Sequence, residues 1–112
     1  TFKIYVLPAD THGTAASMCE DLPLKIMTFP SGSAMDEKLR ILNSLGAEHC
    51  IAIGNGRNDV PMCRAAALSI AVMGTEGAYG KLIPECDICT TSIADALDLL
   101  MLPKRLIATL RG

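Results

Sequence analysis

Short apolar runs alternate along this chain with stretches in which apolar residues recur every three or four positions. The runs at 2–8, 24–29 (Leu-Lys-Ile-Met-Thr-Phe), 50–54 (Cys-Ile-Ala-Ile-Gly), 68–73 (Leu-Ser-Ile-Ala-Val-Met) and 86–90 have the length and β-branched content of strands. The intervening pattern predicts helices over 12–21, 33–45, 58–66 and 76–83, and a longer one over 92–110. In the helix at 33–45, Ser33 suits the cap, and Met35, Leu39, Leu42 and Leu45 make an apolar stripe at helical spacing. Gly46 supplies the stop. Ser92-Ile-Ala-Asp95 opens the last helix as a variant capping box, and Pro103 should break it.

Strand–helix alternation of this kind specifies an α/β domain, a parallel sheet with helices on both faces. No linker, repeat or low-complexity tract interrupts the pattern, so residues 1–112 read as a single domain. Such sheets bind ligands beyond the carboxyl ends of their strands, near the topological switch point. That singles out the loops 8–14, 29–33, 54–59, 73–77 and 90–92.

Composition narrows the picture further. Half of the 112 residues are hydrophobic and 20% are charged, which favours a packed core over disorder. A net charge of −2 gives no electrostatic footprint for nucleic acid or an anionic membrane surface. No apolar run approaches the roughly 18 residues of a membrane span, and no signal peptide is visible. The five cysteines, Cys19, Cys50, Cys63, Cys86 and Cys89, form no disulfide framework and read as reduced, buried thiols in a cytoplasmic protein. Cys86-x-x-Cys89 lacks a second pair, and within a strand its thiols would face opposite ways. The six methionines read as core filler.

The most specific stretch is Ile51-Ala-Ile-Gly-Asn-Gly-Arg-Asn-Asp59. A strand runs into Gly54-x-Gly56, then polar Asn55 and Asn58, then Asp59, after which Val60-Pro-Met resumes a helix. Glycines allow the backbone to approach a ligand, and a helix start offers free N–H groups to an anion. Asp59 is a hard oxygen donor suited to Mg²⁺. The same residues also suit an ordinary strand-to-helix turn.

Gly54-Asn-Gly-Arg-Asn-Asp59 resembles the fourth motif, GDGxND, of the haloacid dehalogenase (HAD) superfamily of phosphatases and P-type ATPases. Ala66-Ala-Leu-Ser-Ile-Ala-Val-Met-Gly74 and Cys86-Asp-Ile-Cys-Thr-Thr-Ser-Ile-Ala-Asp-Ala-Leu continue that family's pattern. Lys38 stands at the head of the preceding helix, where the family keeps its phosphate-binding lysine. The likeness covers nearly the whole chain and extends to the soluble P-type ATPase-like group through Pro103-Lys-Arg-Leu-Ile-Ala-Thr-Leu-Arg111. It implies a HAD-like Rossmannoid core without a cap domain, and a hydrolase of the phosphatase or ATPase-like kind. In that chemistry an aspartate attacks phosphorus to form an aspartyl-phosphate, which water hydrolyses. Lys38 would offset the phosphoryl charge, Gly56 and Arg57 would contact phosphate, and Asp59 with Asn55 would hold Mg²⁺. Arg57 reads equally well as a solvated loop charge.

Three departures shape the expectation. Asn55 replaces the first aspartate of the fourth motif, so Mg²⁺ should bind weakly or not at all. Pro8 occupies the place of the second-motif Ser or Thr and offers neither hydroxyl nor N–H. Asp10-Thr-His-Gly-Thr14 looks like a nucleophile motif, yet aligning backward from Gly54 puts 2–8 on the family's second strand. The 27 residues between Asp10 and Lys38 (11–37) hold one strand, at 24–29, and leave no room for the second-motif strand the family would need there. On this reading Asp10 caps a helix and His12 is a solvated loop histidine, with Asp10 as nucleophile the alternative. The family's nucleophile strand then belongs upstream of 2–8. Without it, the five strands take the flavodoxin-like order 2-1-3-4-5, closed by pairing of 2–8 with 50–54. The expected function is a truncated or degenerate HAD-like phosphoryl-transfer domain, inactive alone. The rival is a non-catalytic module that binds phosphate, nucleotide or a partner. Expected partners are a phosphorylated small molecule or nucleotide, and a second chain along an open sheet edge. Lys38 should lie at the carboxyl edge of the sheet, flanking the buried stripe, with its ammonium toward the 54–59 loop.

Overall fold

The computed structural model of the protein describes residues 5–6, 25–26 and 34–111. Their elements run β1 (Tyr5–Val6), β2 (Lys25–Ile26), α1 (Ala34–Leu45), β3 (Ile51–Gly54), α2 (Val60–Ala65), β4 (Leu68–Val72), β5 (Ile88–Thr90), α3 (Ile93–Met101) and α4 (Pro103–Leu110), with single 3-10 turns at 47–49, 57–59 and 83–85. β3, β4 and β5 form one parallel sheet with β4 in the centre, and β1 pairs with β2, also in parallel. These ladders are the 2-1 and 3-4-5 portions of the expected order. Among the described residues no pairing joins β1 to β3.

The two faces of the three-stranded sheet differ in the size of their side chains. Because successive strand residues point to opposite faces, β3 and β4 sort their residues by alternation. Ala52 and Ala71 face a cluster with Leu42 of α1, Met62 and Cys63 of α2, and Leu82. Ile51, Ile53, Leu68, Ile70 and Val72 face the other way, toward Ile88, Ala96 of α3, and Leu106 of α4. Small residues under α1 and α2 let those helices approach closely, while branched residues fill the space under α3 and α4. The result is a three-layer α/β/α arrangement, as the sequence predicts.

Local signals decide where several elements stop. Gly46 ends α1 at φ 89°, a left-handed conformation that glycine adopts without a Cβ clash. The Ser92 hydroxyl accepts the Asp95 amide at 3.0 Å and caps α3. Pro103 divides the predicted 92–110 helix in two: the residue before a proline is pushed out of the helical region, and Leu102 sits at φ −123°, ψ 78°. β4 and β5 are tied at their entry, where Asp87 accepts the Ser69 amide at 2.9 Å and returns its own N–H to the Ser69 carbonyl at 3.0 Å.

Three expectations need correction. No helix spans 76–83. Gly77 turns back at φ 76° and donates to the Gly74 carbonyl at 2.9 Å, and the chain reaches β5 through turns and the 3-10 turn at 83–85. The buried face of α1 is Lys38, Ile41 and Leu42, while Met35 and Leu45 are exposed, so the helix is rotated from the predicted stripe. Met62 is core, but Met35, Met73 and Met101 are exposed, the last at 70%. Ser33 and the predicted 12–21 helix lie outside the described residues. No helix among the described residues is long and apolar enough to cross a membrane.

Ile70, fully buried at the centre of the sheet, gives the first test. Ile70→Ala should destabilise the fold by roughly 3 kcal/mol through lost burial and an unfilled cavity. In urea denaturation this reads as a lower midpoint at unchanged slope.

Candidate functional site

The site begins at the carboxyl end of β3. After Gly54 the chain makes one 3-10 turn, Arg57–Asp59, and then enters α2 with Pro61 in its first turn. The turn folds Asp59 back over the strand end. A Cβ on Gly54 would lie 2.6 Å from Asp59 Cγ, so the position has no room for any side chain. Asp59 is 4% exposed, and each of its oxygens is engaged. Oδ2 accepts the amides of Asn55 at 3.1 Å and Gly56 at 3.0 Å, closing the turn on itself. Oδ1 accepts the Lys38 ammonium at 2.7 Å.

Lys38 reaches this point from the buried face of α1 and is 8% exposed. Its ammonium also donates to Asn58 Oδ1 at 3.1 Å. A lysine ammonium has three N–H donors, so a third remains beyond these two bonds. Two buried charges are stable together only when closely paired and hydrogen-bonded, and that requirement rotates α1 so that Lys38 faces inward.

The structure thus brings Lys38 and Asp59 together and places the other predicted residues differently. The Gly56 N–H, expected to face phosphate, is spent on Asp59. The Asn55 side chain is exposed, and its main chain holds the loop instead, with its carbonyl accepting the Tyr79 amide at 2.7 Å. Arg57 is exposed and makes no ion pair among the described residues. Asn58, given no role from sequence, orients the lysine; its signal was its place between Arg57 and Asp59 in the motif. Asp10, His12 and Pro8 lie outside the described residues.

As folded, this donor set does not fit Mg²⁺. Asp59 is the one carboxylate hydrogen-bonded to the loop among the described residues; its Oδ1 faces a cation and its Oδ2 two amides. No cluster of three His, Cys, Asp or Glu side chains occurs among the described residues. Cys86-x-x-Cys89 does not form a joint site either. Cys86 packs beside Cys63 in the α1/α2 cluster, whereas Cys89 is exposed. Burial pushes the Cys63 thiol well up, and burial likewise raises Cys86.

Two outcomes follow from this geometry. Lys38→Met leaves Asp59 charged, buried and unpaired, and should cost roughly 3–5 kcal/mol in chemical denaturation. Adding Asp59→Asn should recover part of that loss. Among the described thiols, iodoacetamide should modify Cys89 first and Cys63 last, read by mass spectrometry, because only thiolate reacts and burial suppresses both access and ionisation.

No family model matches the chain. In three dimensions it is similar to the crystal structure of a protein from Streptomyces avermitilis MA-4680 described as a HAD family hydrolase, with a TM-score of 0.63 at 17% identity. The likeness covers 80% of this chain and 51% of that one, so this chain spans about half the length of that protein. It shows a HAD-like α/β fold. In sequence the chain is 48% identical over 84 residues to the uncharacterized protein MJ0073 of Methanocaldococcus jannaschii, covering 71% of this chain and 90% of that one. The chain belongs to the family of that Methanocaldococcus jannaschii protein.

Proposed function

We propose that this chain is a HAD-like phosphoryl-transfer domain in which Lys38 and the 54–59 loop form the phosphate-facing part of the site. The observation that carries the reading is the Lys38 ammonium, held beside the carboxyl end of β3 by Asp59 at 2.7 Å and Asn58 at 3.1 Å with one N–H left over. A lysine fixed in this way has already lost its rotamer freedom. A phosphoryl oxygen that accepts the third N–H therefore meets a preorganised charge, the kind of group that stabilises a phosphoryl group as its charge redistributes. Asp59 contributes by positioning: it fixes the lysine and closes the loop.

The resemblance of Gly54–Asp59 and Pro103–Arg111 supports the finer assignment to the soluble P-type ATPase-like group, acting on a phosphorylated small molecule or nucleotide in the cytoplasm. One observation favours a second reading, a phosphate-binding module without turnover. The loop is closed by internal bonds to both Asp59 oxygens and is complete without a metal.

Phosphate binding tests the shared core of both readings. Inorganic phosphate titrated into the 112-residue chain should shift the backbone amide resonances of residues 55–59. Lys38→Ala should weaken binding about tenfold, the scale of one charge-assisted hydrogen bond. Asn58→Ala, which loosens the ammonium without unpairing Asp59, should weaken it less. Unmoved amides in the wild type would overturn the assignment. Hydrolysis of p-nitrophenyl phosphate tests whether this chain supplies a nucleophile of its own. This chain should show negligible turnover, and turnover abolished by Asp10→Asn would instead establish Asp10 as the nucleophile.

A further inference from the structure

Beside the 54–59 loop lies a groove of about 470 Å³ between the first turn of α1, α2 and the 79–85 segment. Its size falls within the range that holds small organic ligands. Met35, Val60, Pro61 and Tyr79 give it apolar walls. Three cations line it. Arg64 is paired with Glu85 at 2.8 Å, and this pair holds Glu85 below the usual carboxylate range. Arg57 and Lys81 have no carboxylate partner among the described residues. The groove therefore carries two unbalanced positive charges in a chain whose net charge is −2.

The groove borders the loop of the proposed phosphate site through Arg57 and Val60. Met35 stands three residues before Lys38 on α1, close to one helical turn, and Arg57 belongs to the same 3-10 turn as Asp59. Tyr79 is bonded through its N–H to the Asn55 carbonyl at 2.7 Å, which fixes the groove's far wall to the loop. A ligand whose phosphate meets Lys38 would extend its remaining atoms along these walls.

We propose that the groove binds the organic part of a phosphate monoester, and that this part carries a negative charge of its own on an aromatic or compact apolar body. The inference rests on the phosphate site described above and adds the class of ligand that the site accepts. Apolar walls would hold the body by burial. Arg57 and Lys81 would meet the second anion, a carboxylate or another phosphate, and their unmatched charge would disfavour cationic ligands by like-charge repulsion.

Three probes separate the parts of this claim: inorganic phosphate, phenyl phosphate and 4-carboxyphenyl phosphate, each followed by amide chemical shifts of the full 112-residue chain. 4-Carboxyphenyl phosphate should bind about fivefold tighter than phenyl phosphate, the upper range for an exposed ion pair. Its carboxylate should shift residues 79–85 specifically. Lys81→Ala should shrink that preference toward unity, and Lys81→Glu should reverse it, with inorganic phosphate binding unchanged in both. Equal affinity for the two aryl phosphates, or a preference that survives Lys81→Glu, would overturn the groove assignment while leaving the phosphate site standing. Failure of the phosphate site shows differently: residues 55–59 would stay unmoved by inorganic phosphate.

Discussion

The pairing of Lys38 with Asp59 is the constraint around which this half of the protein is arranged. Neither charge is stably buried alone, because desolvating an unpaired ion costs several kcal/mol, a large share of a small domain's net stability. Asp59 must therefore lie where a lysine from another element can reach it, which places it over the end of β3. Gly54 is glycine because a Cβ would collide with the Asp59 carboxyl. The amides of Asn55 and Gly56 point inward because Asp59 Oδ2 needs donors. α1 turns Lys38, Ile41 and Leu42 to the interior because its charged end has a partner there.

The sheet makes this geometry possible through the unequal size of its faces. Ala52 and Ala71 on one side, with Gly54 at the strand end, keep α1 and α2 close enough for a side chain of α1 to contact the loop after β3. On the other side Ile51, Ile53, Leu68, Ile70 and Val72 require the thicker layer supplied by α3 and α4. The site-forming helices thus sit on the small-residue face, and the larger share of branched packing lies opposite.

That internal completeness also shapes the chemistry. A carboxylate already satisfied by an ammonium and two amides is poorly placed to capture a divalent cation, whereas an ammonium held by two oxygens still has an N–H for an anion. The HAD-like fold and kinship with the Methanocaldococcus jannaschii protein are compatible with this arrangement. The proposed recognition of an anion by a fixed lysine, extended along a groove with apolar walls, rests on the Lys38 ammonium and on the unpaired charges of Arg57 and Lys81 among the described residues.

The sequence by itself determined what depends on near neighbours. Alternation marked β3, β4 and β5. Gly46 stopped α1, Ser92 capped α3 and Pro103 broke the last helix, all through contacts within a few residues, where backbone sterics and local hydrogen bonds dominate. The motif at 54–59 and the approach of Lys38 toward it were legible for the same reason, since strand–helix order fixes which edge a loop occupies. Only the tertiary structure decided the rest. Periodicity set Lys38 at the flank of an apolar stripe, whereas the ion pair with Asp59, twenty-one positions away, brings Lys38 into the buried face and leaves Met35 and Leu45 exposed. It read 76–83 as a helix, although Gly77 and a bond from Tyr79 back to Asn55 hold that segment as turns against the site. The resemblance to the fourth motif gave Gly56 to a phosphate, whereas the fold spends its amide on Asp59. Each of these was settled by long-range partners competing for the same donors and the same buried space, and a local pattern holds no record of that competition.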